Sequence, residues 1–468
     1  MKWMGRIAAV AAMMWTGMHA AAGADIEPSP TPIVDFQPEQ TGVLFGLPPG
    51  SGYGQTVGII GWAAQGELGI DLEDLKGWFL FHQLPIPSFT VVLVAGQTNT
   101  DPSGELLMDG RIIGTYVPEA KIRYYLTVGS GEGIAEAIGQ AVADGCDVLS
   151  CSFGAAQGPW EHWWADEDVE LINTALKEAG EAGVTVCIAS GDSGGGRVAF
   201  PAASPYALAV GGVMVPKSSG LLQVFWNYPP DPATAHFPWL ASGGGVLPGP
   251  VPWWQAKVRP LSFPINGVRR TGRGVPDVAA MAMGNNGWMG TSACAPFWAA
   301  LIARINAELG RNVGFINPII YSIGPGSPAF HDITVGNNIP PSEFFPSYGY
   351  EAGPGWDACT GWGAPNGIEL LNMFRRAFFG PNPTIDVRRR QRLGARGQRL
   401  RLRGTASGEF EVVSISVEAD GRAIRTSGSP NAWTAVIRLR RGGNRIHLQA
   451  VDVAGKRSDL RTVVVRRR

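Results

Sequence analysis

Charge is scarce in this chain. Of its 468 residues, 16% are Asp, Glu, Lys or Arg, against 45% hydrophobic ones. So apolar a balance excludes a disordered polyelectrolyte and fits a compact core. Long apolar runs are also missing. Beyond the N-terminus no segment approaches about 18 uninterrupted apolar residues, so no permanent membrane span is expected. Cysteine is rare and its count is odd. Cys146, Cys151, Cys187, Cys294 and Cys359 cannot all pair within one chain. None stands in a C-x-x-C spacing, which argues against zinc and thiol-redox chemistry, and small buried residues beside strands are expected instead. The 64 glycines and 36 prolines show no Gly-x-y period, so they mark a loop-rich globular protein rather than collagen. No strong internal repeat or low-complexity tract appears.

The charge that is present is unevenly placed. Residues 384–468 hold 20 Lys+Arg and 7 Asp+Glu, a net +13, so the remainder carries −14 and the whole chain −1. Two segments of opposite sign imply two domains with different surfaces, and the length also asks for more than one. At the other end Lys2 and Arg6 precede a short apolar run, Ile7 to Trp15, and Ala22-Gly23-Ala24 fits a cleavage site. Residues 1–24 therefore read as a signal peptide, which implies a secreted or periplasmic protein. Residues 25–42, rich in Pro and polar side chains, read as a leader.

From residue 43 short apolar runs alternate with helical patterns. Strands are expected at 55–61, 90–94, 121–126, 147–150 and 184–189, and helices at 72–84, 105–113, 133–144, 169–182 and 292–309. That alternation predicts an α/β fold, a parallel sheet with helices on both faces. It ends near Phe379, and Gly380-Pro-Asn-Pro383 is a natural linker. Residues 384–468 then show only short alternating segments, at 399–403, 412–417, 433–439, 445–451 and 460–465, the pattern of a small all-β sandwich domain. Within it Gly442 to Gly455 resembles the closing strands of bacterial immunoglobulin-like modules.

Three strings could carry chemistry. In Gly290-Thr-Ser-Ala-Cys-Ala-Pro296 a serine opens a long apolar helix, where backbone N–H groups and the helix dipole would lie near its oxygen. Ser292 is either a nucleophile or a helix cap. A nucleophilic hydroxyl needs a base, yet none of the six histidines stands in a His-Gly-Thr string of the kind subtilisins use. Ser103-Gly-Glu-Leu-Leu-Met-Asp109 offers carboxylates instead. Glu105 and Asp109, at i and i+4, share a face if this segment is helical, and two close carboxyls push one proton affinity upward. The same spacing also suits a solvated face. Ala189-Ser-Gly-Asp192-Ser-Gly194 follows a buried strand, where open parallel sheets bind ligands. Asp192 could donate to an oxyanion when protonated, or could simply hold a turn.

Together these strings resemble the sedolisin family. Glu105 and Asp109 match its E-x-x-x-D, Asp192 its S-G-D and Ser292 its G-T-S-A. Ser152-Phe-Gly154, Phe200-Pro-Ala-Ala-Ser-Pro205, Ser242-Gly-Gly-Gly245 and Arg273-Gly-Val-Pro-Asp277 follow in family order within residues 43–376. The resemblance implies a subtilisin-like fold over 43–379 and a serine-type endopeptidase with a Ser-Glu-Asp catalytic set, an Asp in the oxyanion hole and an acidic working range. It implies one Ca²⁺, held by the side chains of Asp332 and Asp357 and the carbonyls of Ile333, Gly353 and Gly355. Residues 25–42 stand where family members usually carry a long pro-domain. Phe153 stands where many relatives have Trp, and Leu106 where Trp commonly follows the first Glu. The expected partner is a peptide or protein substrate, with no nucleic acid and a monomeric chain. The basic module at 384–468 offers a contact for the cell envelope. The rival reading is a catalytically inactive envelope-binding protein on a peptidase scaffold.

Overall fold

The computed structural model describes residues 38–63, 67–158, 161–215, 222–224, 241–258, 264–265, 269–282, 290–340, 348–387 and 399–467. The signal segment and most of the leader lie outside them. The last leader residues belong to a short helix, Pro38–Leu44.

Apolar β-rich runs build the large sheet: β1 (Thr56–Ala63), β2 (Ser88–Leu93), β3 (Lys121–Val128), β4 (Val148–Cys151), β5 (Thr185–Ala189), β6 (Leu208–Met214), β7 (Gln223–Val224) and β8 (Val278–Met281). Their order is β7-β6-β5-β4-β1-β3-β2, with β8 also paired to β6. Every pairing is parallel except that of β7. Between the strands run α1 (Leu72–Phe81), α2 (Gly104–Tyr116), α3 (Gly131–Ala143), α4 (Asp166–Glu181) and, after β8, α5 (Cys294–Leu309). The strand order reverses between β1 and β4, and at such a switch point the loops leaving the carboxyl ends open a crevice.

Both faces of the sheet are covered. Ile60, Tyr125, Leu149 and Ile188 join Ile134, Ile138, Ile172 and Leu176 of α3 and α4 in one core cluster. Val57 and Ile59, on the opposite side of the β1 pleat, are equally buried. α5 is apolar around nearly its whole circumference, as a central helix must be. Trp298 anchors it by donating to the Ala279 carbonyl at 2.9 Å. All five cysteines are unpaired and buried, as expected of small apolar fillers.

A second compact unit comprises residues 318–324 and 372–468. Its strands are β9 (Thr384–Val387), β10 (Arg399–Ser407), β11 (Val412–Ala419), β12 (Arg422–Ile424), β13 (Thr426–Ser427), β14 (Trp433–Arg438), β15 (Gly442–Asp452) and β16 (Arg461–Arg467). They form two antiparallel sheets, β9-β10-β14-β13 and β12-β11-β15-β16. Leu400, Leu402 and Trp433 from one sheet and Ile446, Leu448 and Ala450 from the other share one core. The β10 alternation is strict: Arg399, Arg401 and Arg403 are exposed, while Leu400 and Leu402 are buried. The three short strands β9, β12 and β13 had no alternation long enough to read in sequence.

Candidate active site

Glu105 and Asp109 lie on α2, one turn apart, as their spacing required. Helix α2 is held close to the sheet. Tyr124 of β3 donates its hydroxyl to the Leu106 carbonyl at 3.1 Å. Gly110 makes room for it, since a Cβ there would sit 1.9 Å from the Tyr124 oxygen. Asp109 is fully buried, and Glu105 keeps part of its surface at the crevice.

Ser292 sits in a 3₁₀ turn, Thr291–Ala293, that runs directly into α5. The first N–H groups of such a start have no intrahelical partner and point toward the crevice end of the helix. Gly290, before the turn, takes φ 88°, a left-handed conformation that favours glycine. A Cβ on it would meet Asp192 Oδ2 at 2.6 Å. Asp192 follows β5 and is fixed from the same turn: the Thr291 N–H (2.8 Å) and hydroxyl (2.9 Å) both donate to its Oδ1. Its Oδ2 is left on the Gly290 side of the nucleophile turn. Thr291 in turn accepts from the Gly191 N–H at 3.0 Å.

The electrostatics follow from this packing. Burial, opposed by the neighbouring Ser292 hydroxyl and reinforced by the charge of Asp192, pushes the Glu105 carboxyl up to about 7. Asp109 is pushed well above the usual carboxylate range, first by burial and then by the charge of Glu105. Asp192 is raised by burial, while the two Thr291 donors pull it back. Glu105 Oε1 and Asp109 Oδ2 are enclosed and have no hydrogen-bond partner. Three carboxyls thus gather around the turn that carries Ser292, and each is biased toward holding a proton.

The sequence reading therefore named residues that the fold brings together: Glu105, Asp109, Asp192 and Ser292. Two described histidines are engaged elsewhere: His82 lies against the Trp78 ring at 4.4 Å between centroids and His447 bonds to Thr462 in the second unit, while His19 and His236 lie outside the described residues. Two residues of the site were missed. Thr291 holds Asp192, and Ser152, just after β4, reaches both Asp109 Oδ1 (2.7 Å) and the Ser292 carbonyl (3.0 Å). The only sequence signal for either was membership of a short string.

Backbone N–H groups tie four of the expected cation ligands in two pairs. The Gly355 N–H donates to Asp332 Oδ2 at 2.8 Å and the Gly353 N–H to Asp357 Oδ2 at 3.0 Å. Asp357 Oδ1 takes Cys359 N (2.9 Å), Thr360 N (2.8 Å) and the Thr360 hydroxyl (3.2 Å). Among the described residues no cluster of three His, Cys, Asp or Glu side chains could hold a metal. Two carboxylates plus backbone carbonyls are nonetheless a hard-oxygen donor set of the kind Ca²⁺ takes.

Residues 92–312 match the model of the subtilase family. Kumamolisin of Bacillus sp. (strain MN-32) is 38% identical over 370 residues, covering 72% of this chain and 63% of kumamolisin. Tripeptidyl-peptidase 1 of Homo sapiens is 34% identical over 237 residues, 43% of this chain and 39% of that protein. The chain thus spans under two thirds of these curated relatives. Among solved structures, Pseudomonas sedolisin, a serine-carboxyl proteinase complexed with two molecules of pseudo-iodotyrostatin, superposes with a TM-score of 0.59 at 24% identity. It covers 73% of this chain and 98% of its own, and it establishes likeness of fold. No helix among the described residues is long and apolar enough to cross a membrane.

Proposed function

The chain belongs to the sedolisin family, and from that premise we propose that it is an exported serine-carboxyl endopeptidase acting on peptide or protein substrates. The observation that carries this reading is that Ser292, Glu105, Asp109 and Asp192 are gathered at one crevice, with Ser152 bridging Asp109 to the Ser292 backbone and Thr291 holding Asp192. Ser292 Oγ attacks the scissile carbonyl carbon as Glu105 takes the hydroxyl proton. Asp109 keeps its own proton and lends hydrogen-bonding support to the Glu105 anion. Asp192, with Thr291 already filling Oδ1, presents a protonated Oδ2 to the oxyanion, beside N–H groups at the start of α5. The proton on Glu105 then goes to the leaving amine, and water releases the acyl group from Ser292 by the same steps reversed.

The pH dependence follows with a definite sign. The working form needs Glu105 ionised and Asp192 protonated. A form that needs one group ionised and another protonated peaks midway between the two macroscopic pKa values, whichever is higher. Glu105 stands at about 7 and Asp192 is raised from 3.8. The profile is therefore a bell with a falling alkaline limb, and the acidic working range that the family resemblance implies places its maximum below neutrality. The test is hydrolysis of a denatured protein substrate from pH 3 to 9 by the parent, Ser292→Ala and Asp192→Asn. The parent should peak below pH 7 and Ser292→Ala should be inactive with an unchanged circular dichroism spectrum. Asp192→Asn, whose amide donates without needing a proton, should keep activity further into alkali. A parent optimum at pH 8 or above sinks the carboxylate mechanism.

One Ca²⁺ would be held by the Asp332 and Asp357 carboxylates and the carbonyls of Ile333, Gly353 and Gly355. Bound there, it would supply charge neutralisation and cross-linking of two loops rather than chemistry. The protein is taken as a secreted or periplasmic monomer, with residues 384–468 as an immunoglobulin-like module. The exposed arginines of β10 support contact between that module and an anionic envelope component.

A further inference from the structure

One hydroxyl near the site has more acceptors than hydrogens. Ser152 Oγ lies 2.7 Å from Asp109 Oδ1 and 3.0 Å from the Ser292 carbonyl oxygen, and it has a single hydrogen to give. The shorter of the two contacts, to Asp109 Oδ1, takes that hydrogen. With the Ser152 hydrogen on Oδ1, the Asp109 proton belongs on Oδ2. Asp109 Oδ2 and Glu105 Oε1 are the two enclosed oxygens of the pair that lack partners. One proton carried on Oδ2 and shared with Oε1 satisfies both.

We propose that Ser152 is a positioning residue: by donating to Asp109 Oδ1 it aims the Asp109 proton at Glu105 and so keeps the base in its ionised, proton-accepting form. This rests on the peptidase reading of the site. Its place is set from two sides, since Ser152 follows β4 directly and touches the backbone of the nucleophile itself. Without the hydroxyl, the Asp109 proton can occupy either oxygen and the Glu105 anion loses its dedicated donor. Glu105 then takes up a proton more readily, and the limb of the rate profile that Glu105 sets moves to higher pH.

The groups bearing on this pair are few. Glu105 shares α2 with Asp109, and Asp192 acts on Glu105 from the segment after β5. Tyr124 of β3 and Cys151 of β4 are both raised by burial and are neutral across the working range. Arg111, also on α2, is engaged with Asp74 at 3.2 Å and with the Trp78 ring of α1. The burial-raised state of Asp109, opposed by the Ser152 bond, is consistent with a proton that stays on this residue.

The test compares the parent, Ser152→Ala and Ser152→Thr as full-length proteins. Profiles of kcat and KM against pH should show the limb of kcat that Glu105 sets moved upward by about half to one pH unit in the alanine variant, the size of one ordinary hydrogen bond. KM should change little, and the threonine variant should return toward the parent. An even loss of kcat at every pH, or a limb that does not move in Ser152→Ala, overturns the proposal. A second arm needs no turnover. Carboxyl ¹³C resonances of aspartate- and glutamate-labelled protein should show the coupled pair titrating at higher pH in Ser152→Ala than in the parent, and coincident titrations overturn it. If the parent hydrolyses nothing, the peptidase reading fails, while this titration still decides what Ser152 does.

Discussion

Glu105 and Asp109 set two acidic groups one helical turn apart in the interior. Arg399, Arg401, Arg403 and Arg438 set four basic groups side by side in solvent, with Arg399 directly across from Arg438 in the ladder. Both arrangements put like charges together, and they are tolerated for different reasons. In the interior the low dielectric makes two charges intolerable, so protons are retained and the repulsion becomes a pKa shift. On the surface water and salt screen the arginines, which cannot give up their protons, and the cost is a small loss of stability. Asp332 and Asp357 stand between these limits, one exposed and one buried, and backbone N–H groups supply the compensation. Buried like charges can exchange protons at working pH, and exposed ones can attract a counter-charge.

The largest effect should come from removing the buried charge that does the work. Glu105→Gln should lower kcat by about 10²–10⁴-fold at every pH. The same change should act oppositely on stability. A carboxyl whose folded pKa is raised contributes stability that is full below its unfolded value and lost as pH rises through the folded one. The parent should therefore lose stability between about pH 4.5 and 7, the window set by Glu105. Glu105→Gln should flatten that decline, as thermal melts at pH 4.5 and 7.5 would read. A variant that stays active, or one whose melting temperature falls as steeply as the parent's, breaks the comparison at its buried end.

A smaller effect is expected at the intermediate site. A cation bound at about 100 times its Kd stabilises by about 2.7 kcal/mol, so a chelator should lower the melting temperature by several degrees. Asp357→Asn keeps an oxygen for Cys359 and Thr360 and should remove that sensitivity. Equal melts with and without chelator, together with no metal by elemental analysis, would mean that the N–H groups are the whole answer there. The smallest effect belongs to the surface. Arg438→Thr removes one member of a like-charge cross-strand pair and should raise stability by a few tenths of a kcal/mol at low salt, with the gain vanishing near 0.5 M salt. Urea titrations at the two ionic strengths would show it.

What could be read in the sequence divides along similar lines. Five of the eight strands of the large sheet and its helices were legible from local pattern, and their ends moved by only a few positions, whereas β6, β7 and β8 were not read as strands. Glu105 and Asp109 were legible as a pair because a helix makes i and i+4 neighbours. Ser152 was not, because its partners lie 43 and 140 positions away and only the fold brings them within reach. Thr291 was hidden for a similar reason: its role appears only when Asp192 arrives from the loop after β5. The short strands β9, β12 and β13 are defined by what they pair with, and two to four residues carry no readable period.

The five buried, unpaired cysteines have a practical consequence. Their thiols are raised by burial, to about 11 at Cys146 and about 12 at Cys151, and likewise upward at Cys187, Cys294 and Cys359. A thiol in that state meets an alkylating reagent only when the chain around it opens. Each molecule therefore carries its own record of opening events, written irreversibly at the residue concerned. Cys151 adjoins Ser152 and Cys294 lies two positions from Ser292, whereas Cys359 belongs to the loop of Asp357. Timed alkylation read by peptide mass would thus report, within one sample, whether the crevice and the loop at Asp357 breathe together or apart.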